Sequence, residues 1–450
     1  MPHAWRRRVG LWLGLALAGC GAVAAQEPAS VAGAQAAPDS GPAIVKIVKQ
    51  GPAYRLLVDG QPFYIKGGGL GEVDQETLVA RGGNSFRTWS TGDDTAKVRA
   101  MLDRAQRNGL KVAMGLDVAR ERHGFDYNDA QAVAAQQKRI EAEVALYKDH
   151  PAVLMWLVGN ELNLEHRNPK VWNAVNDITL AIHRIDPNHP VMTPLAGFTP
   201  ALIAEIKTRA PALDLIGVQL YGDINELPAK LRESKWTGPY VVTEWGPTGH
   251  WESPLTTWGA AIEDDASRKA ARLIERYQAY IASDKRQGLG SYVFLWGQKQ
   301  ERTPTWYGLF LKSGESTPSV DAMQFLWTGQ WPDNRAPAVQ PILIDGLAAD
   351  KSVSLIAGSE HEARLQAEDP EQDPLRFQWY VLRETTATST GGDHEDVPAS
   401  VRVRMTFQGQ GGLKFQAPAQ PGAYRLFVEV RDGKGHAAYA NFPFQVTAAP

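Results

Sequence analysis

At 450 residues, and at roughly 150 residues per domain, the chain has room for about three domains, or one large and one small. Its 43% hydrophobic and 22% charged content is ordinary for a globular protein, and 47 Lys and Arg against 50 Asp and Glu leave a net charge of −3, which speaks against a nucleic-acid-binding surface. One cysteine excludes an internal disulfide and any CxxC-type metal or redox site, while the 14 tryptophans suit a groove that stacks planar or ring-shaped ligands.

Residues 1–25 read as an export signal. Arg6, Arg7 and Arg8 give a positive start, and residues 9–18 form an apolar run too short to span a bilayer comfortably. Leu17-Ala18-Gly19-Cys20 then looks like a bacterial lipobox, in which Cys20 is lipidated and becomes the mature N-terminus. An ordinary signal cut near residues 22–25 is the alternative. Both readings export the protein; lipidation attaches it to the cell envelope, with Gly21 favouring the outer membrane of a Gram-negative host, and without it the protein is periplasmic or secreted. Residues 26–42, rich in Ala, Pro, Ser and Gly, read as a flexible tether.

From residue 43 to 333, strand-like apolar runs alternate with helical patterns. Residues 54–58 and 63–65 flank Asp59-Gly60, a hairpin signal able to close the bottom of a barrel. Strands are expected at 64–67, 85–89, 111–116, 153–159, 191–195, 215–220, 240–243 and 291–296. Helices are expected at 95–107, 130–147, 171–183, 267–282 and 321–326, where apolar residues recur at helical spacing. Eight strand–helix units in about 290 residues imply parallel strands with right-handed crossovers, and so a (β/α)₈ TIM barrel. An open doubly wound sheet is the alternative, weakened because Gly67-Gly68-Gly69 lacks the GxGxxG spacing.

Residues 334–340 mark a linker. Beyond it, short β-type runs at 352–356, 364–367, 375–381, 402–407, 422–431 and 437–446, separated by turn clusters, predict a smaller immunoglobulin-like β-sandwich over residues 341–450. The acidic stretch 368–379, Pro421-Gly422-Ala423-Tyr424 and Asp432-Gly433-Lys434-Gly435 resemble cadherin-like and PKD-like modules, which often have Gly where this chain has Gln372. The acidic turn reads as a solvated loop rather than a Ca²⁺ site. This domain is expected to stand apart and contribute no catalytic group.

Active sites of (β/α)₈ barrels lie at the C-terminal ends of the strands. The apolar run 153–159 leads straight into Asn160-Glu161, and 240–243 leads into Glu244. A carboxylate ending a buried strand is costly unless it is paired or used. Two in one barrel mouth suit paired-carboxylate chemistry, one as general acid/base and one as nucleophile.

Trp156-Leu157-Val158-Gly159-Asn160-Glu161 and Val242-Thr243-Glu244-Trp245-Gly246 look like the two signatures of the retaining glycoside hydrolases of the large (β/α)₈ clan. The nearest likeness is to the catalytic barrel of glycoside hydrolase family 2, with glucanosyltransferase-like and cellulase-like members close behind. The resemblance implies that Glu161 is the acid/base, Glu244 the nucleophile, and Asn160 a hydrogen-bond partner of the sugar 2-hydroxyl. It further implies that Arg87 holds the nucleophile ionised, that Tyr221 hydrogen-bonds it, and that Trp296 forms an aromatic floor under the reacting sugar. Trp245 joins this set more weakly. The loops after the seventh and eighth strands add His250, Trp251, Glu252 and Trp258, then Gln298, Lys299, Glu301, Arg302, Trp306 and Tyr307, as groups suited to sugar subsites; Trp251, Gln298 and Trp306 are singled out. The chain departs from family 2 in having its sandwich after the barrel rather than before it, which leaves the substrate open.

No HExxH, P-loop or GxSxG pattern is present, and no metal or cofactor is expected. The expected function is an exported retaining glycosidase or transglycosylase acting on β-linked sugars or glucans, with an oligo- or polysaccharide as partner, no nucleic acid, and a membrane only through the N-terminal anchor. The alternative is a non-catalytic carbohydrate-binding lipoprotein built on the same barrel.

Overall fold

The computed structural model describes residues 41–71 and 74–449. The signal, most of the tether and Cys20 lie outside the described residues. Three short antiparallel strands come first: β1 (Val45–Gln50), β2 (Ala53–Val58) and β3 (Gln61–Phe63), with Asp59-Gly60 in the turn between β2 and β3. Eight parallel strands follow and close into a barrel, the eighth beside the first: β4 (Ile65–Leu70), β5 (Ser85–Arg87), β6 (Lys111–Leu116), β7 (Val153–Val158), β8 (Val191–Ala196), β9 (Leu215–Gln219), β10 (Tyr240–Trp245) and β11 (Gly288–Trp296). Strands buried on both faces need apolar residues at nearly every position, which is why they read as continuous runs.

The crossovers carry α1 (Gln75–Ala80), α2 (Thr95–Arg107), α3 (Ala130–Tyr147), α4 (Lys170–Ile185), α5 (Pro200–Arg209), α6 (Leu227–Glu233), α7 (Ala266–Arg276) and α8 (Pro318–Thr328). Their starts are set chemically. The side chains of Asp94, Asp129, Thr199, Asp265 and Thr317 accept from first-turn N–H groups that have no helical partner. The long helices match the expected spans. The sequence reading passed over α1, α5 and α6, which are too short for a 3.6-residue period to stand out.

The barrel has two unlike ends. At the bottom, Val45 donates to the Asn188 carbonyl before β8, and Tyr54 donates to Arg286 before β11. Ala43, Val45, Leu56 and Val58 share a core with the barrel-interior residues Leu154, Met155, Leu157, Met192 and Leu215. The antiparallel sheet is therefore an apolar plug, as expected from the hairpin signal.

After α8 the chain builds a β-sandwich. One sheet orders the strands Leu343–Ile344, Glu360–Arg364, Gly412–Gln416 and Met405–Phe407; the other orders Ser354–Ile356, Ala437–Thr447, Gly422–Arg431, Arg376–Arg383 and Ser400–Val401. The strand Gly412–Gln416, with its two glycine neighbours, carried no expected run. The domain's core includes Ala266 and Leu311 of the barrel.

The seam between the domains is polar and buried. Glu263 and Lys269 form an ion pair at 2.5 Å. Glu263 also accepts from Thr303, Thr305 and the sandwich's Asn441, while Lys269 donates to two carbonyls and to Tyr439 of the sandwich. Burial alone would push Lys269 down and Glu263 up; their mutual attraction reverses both, so each is held charged. Among the described residues, no helix is long and apolar enough to cross a membrane.

Candidate active site

A cavity of about 820 Å³ opens at the C-terminal ends of the barrel strands, where this fold keeps its chemistry. Glu161 and Glu244 both line it. Glu244 is inward-facing near the end of β10 and nearly buried. Its Oε1 accepts from Arg87 Nη1 at 3.2 Å and from Trp89 Nε1 at 2.8 Å, and its Oε2 accepts from the Tyr221 hydroxyl at 3.0 Å. Burial, reinforced by the Glu244 charge, pushes the Tyr221 phenol well up, so it stays a donor. A charged carboxylate held by three donors is oriented on both oxygens.

Glu161 is in the opposite condition. β7 ends at a sharp turn in which Gly159 has φ +73° and Glu161 itself φ +53°. A side chain at Gly159 would start 2.6 Å from Leu162, so only glycine fits, while a non-glycine residue in the left-handed region is strained. The turn delivers the Glu161 carboxyl to the cavity, where among the described residues it has no hydrogen-bond partner. Burial, then the nearby Glu244 charge, push it up to about 8, against the opposing pull of Arg87, Arg122 and Arg120.

Asn160, beside it, is fixed by its oxygen. Oδ1 accepts from Arg87 Nη2 at 2.7 Å and from Gln219 Nε2 at 2.9 Å, and Arg120 Nε donates to its carbonyl at 3.1 Å. Its amide nitrogen has no partner among the described residues and is free to donate. Arg87, fully buried, thus ties the ends of β7 and β10 together.

The expected residues divide. Glu161, Glu244, Arg87, Asn160 and Tyr221 converge. Trp251 and Gln298 line the cavity, Trp251 59% exposed at its rim and edge-on to Tyr221 at 5.5 Å. Trp296 is not a floor of the site. It is fully buried on the outer face of β11, packed against Phe310 and Trp327 of the helical layer, and Phe294 and Leu295 line the cavity instead. Trp245 also faces outward, next to inward-facing Glu244, and packs on Tyr277. Trp306 lies beneath the loops, 1% exposed, donating to the Thr248 carbonyl, and does not reach the cavity. Strand direction decides Trp245 and Trp296, which end β10 and β11 on the outer face, whereas Trp306 sits in the loop after β11. His250 lines the cavity, held down to about 4 by burial and Arg302, hence neutral. Glu252 accepts from the backbone N–H groups of Gly222, Asp223 and Gly249, a loop-building role.

The sequence reading missed Trp89, Gln219, Arg120 and Phe294. Trp89 had a signal: a side chain at Gly69 would start 2.7 Å from its ring, so the third glycine of the β4 triplet clears its path. The second domain, expected as a separate sandwich that contributes no catalytic group, reaches the site through one segment. Its residues 388–393 form part of the cavity wall. In that domain Asp369, Asp373 and Asp432 converge, with the Lys434 ammonium 2.7 Å from Asp373.

No family model matches the chain, and no curated protein matches it in sequence. Among solved structures it is similar to the β-glucuronidase of Bifidobacterium dentium complexed with coumarin-3-O-glucuronide, at TM-score 0.50 and 18% identity, over 64% of this chain and 50% of that one. It is also similar to β-glucuronidases of Dictyoglomus thermophilum (TM-score 0.49, 17% identity, 64% and 54% covered) and Bacteroides uniformis (0.48, 12%, 90% and 48%). The chain spans about half the length of these proteins. At such identity the likeness is one of fold, that of a TIM barrel.

Proposed function

We propose that the protein is a retaining β-glycosidase, with Glu244 as nucleophile and Glu161 as acid/base. The observation that carries this is the unequal treatment of two glutamates in one cavity. Glu244 is oriented by Arg87, Trp89 and Tyr221, as a nucleophile must be. Glu161 is unpartnered and its carboxyl is pushed up to about 8, as a proton donor near neutrality must be.

In the first step Glu244 attacks the anomeric carbon while Glu161 gives its proton to the departing oxygen, and the glycosidic bond breaks. The ester so formed neutralises Glu244, which removes the charge that raised Glu161. Glu161 then takes a proton from water, or from an acceptor sugar, whose oxygen displaces Glu244. The free amide N–H of Asn160 is positioned to donate to a sugar hydroxyl beside the reacting centre.

The test is a panel of aryl β-glycosides with the anomeric configuration of the first product read by NMR. Retention, and labelling of Glu244 by the matching 2-deoxy-2-fluoro sugar, are expected. Inversion or labelling elsewhere overturns the assignment, and sugar binding without turnover of any member favours a lectin. We further propose export and anchoring through lipid on Cys20; a Cys20→Ser variant that still fractionates with membranes would refute the anchor.

A further inference from the structure

The segment between the sandwich strands Arg376–Arg383 and Ser400–Val401 leaves its own domain and crosses to the barrel mouth. Three barrel cations hold it, largely through its backbone. Arg122 donates to the Thr390 carbonyl at 3.2 Å and pairs with Asp393 at 2.6 Å. Lys299 donates to the Gly392 carbonyl at 2.7 Å. Arg302 donates to the carbonyls of Ala387 and Ser389 and pairs with buried Glu395 at 3.1 Å. The start of the segment is clamped as well, Arg425 bridging Glu384 to the Ala261 carbonyl of the barrel.

At its tip the segment touches the chemistry. Gly391 has φ +59°, and a side chain there would start 3.0 Å from Glu161 Oε2 and 2.6 Å from Leu164. Gly391 therefore lets the backbone itself come close to the carboxyl, while Gly392 makes room for Lys299. Leu164 and residues 388–393 share the cavity wall.

We propose that residues 387–395 of the second domain are the leaving-group wall of the active site and determine which leaving groups it accepts, admitting a terminal sugar linked to a small group and turning away the interior of a polymer. This rests on the glycosidase reading in one respect: an acid/base touches the departing oxygen, so what lies against Glu161 lies on the leaving-group side. A backbone wall pinned at several carbonyls is stiff, and loops at the catalytic face set specificity.

Two measurements on the full-length chain test it, each with the loop intact and with residues 386–394 replaced by Gly-Gly-Gly. An Arg122→Gln/Lys299→Gln/Arg302→Gln variant cuts all three pins without changing chain length and serves if the replacement does not fold. The first measurement needs no sugar. In a Cys20→Ser background, Leu164→Cys is labelled with N-ethylmaleimide and with a bulky maleimide. With the loop intact the bulky reagent should lag by about tenfold or more beyond its intrinsic rate difference, and the lag should vanish in the altered proteins. A lag that survives in them overturns the wall. The second measurement is the ratio of kcat/KM for a p-nitrophenyl β-glycoside to that for the same sugar ending a longer oligosaccharide. The ratio should fall by about tenfold or more when the loop is cut or unpinned; an unchanged ratio overturns the specificity role. If the labelling lag vanishes while no aryl β-glycoside is turned over by any form, the wall stands and the glycosidase reading fails.

Discussion

The barrel mouth and the seam between the domains both hold buried carboxylates, and they use them in opposite ways. At the seam, every oxygen of Glu263 is occupied: Lys269, Thr303, Thr305 and Asn441 surround it. At the mouth, Glu244 is held by three donors, yet its neighbour Glu161 has none among the described residues and is pushed up to about 8. A buried charge whose partners are complete stabilises structure; one left incomplete beside a cavity is available for chemistry. Both sites consist of ordinary Glu and Lys or Arg residues, so residue type alone does not separate them.

Substitutions at the mouth should abolish turnover without unfolding the chain. Glu244→Gln should cost about 10⁴-fold or more in kcat, since it removes the covalent route while its amide oxygen can still accept from buried Arg87, and calorimetry should show a folded protein. Glu161→Ala should cost about 10²–10⁴-fold on substrates with basic leaving groups, far less on activated ones, and added azide should restore rate. If both variants fail equally on every leaving group, the division of roles is wrong.

The seam should break the other way. Lys269→Met leaves Glu263 buried and unpaired, a change expected to destabilise by about 3–5 kcal/mol. Denaturant unfolding should show the loss, and whatever folded fraction remains should keep its kcat. A variant as stable as the parent would mean the pair is not what holds the seam.

A smaller loss is expected at Trp89→Phe, which keeps the ring against Phe294 but deletes the 2.8 Å hydrogen bond to Glu244. Hydrogen bonds to charged groups are worth about 1.5–3 kcal/mol, so kcat should fall by roughly 10- to 100-fold.

The last contrast has an opposite sign. A folded-state carboxyl raised above its unfolded value binds its proton more tightly in the folded protein. Stability is therefore lost as pH rises from the ordinary carboxyl range to about 8. Glu161→Gln should melt higher than the parent at pH 8–9 and the same at pH 4, while the parent's kcat/KM falls above about pH 8 and the variant lacks that limb. A lower melting point at high pH would show that Glu161 stabilises the fold after all.

Much of this was legible in the chain. A parallel strand buried on both faces must be apolar throughout, so β6, β7, β10 and β11 stand out, and a glutamate directly following such a run stands out more. Glu161 and Glu244 follow from that logic, while Arg87, which ends β5, was legible only through the resemblance of the two motifs to a known clan. Trp296 and Trp245 do not, because the face a residue takes at a strand end depends on the register with which the strand meets the barrel, and Trp306 does not, because loop packing against Thr248 buries it. Trp89 and Gln219 went unread because what they do depends on partners far along the chain, Glu244 and Asn160.

The sequence by itself determined the barrel, the sandwich and the two carboxylates, since those depend on hydrophobic period and on the cost of a charge beside an apolar run, both local along the chain. Only the tertiary structure decided which aromatic residues face the cavity, that Glu161 is left without partners while Glu244 has three, and that residues 388–393 of the second domain line the site. Those are long-range matters: Arg302 and Ser389 lie 87 positions apart, Arg122 and Asp393 lie 271 apart, and only the docking of the two domains brings them together.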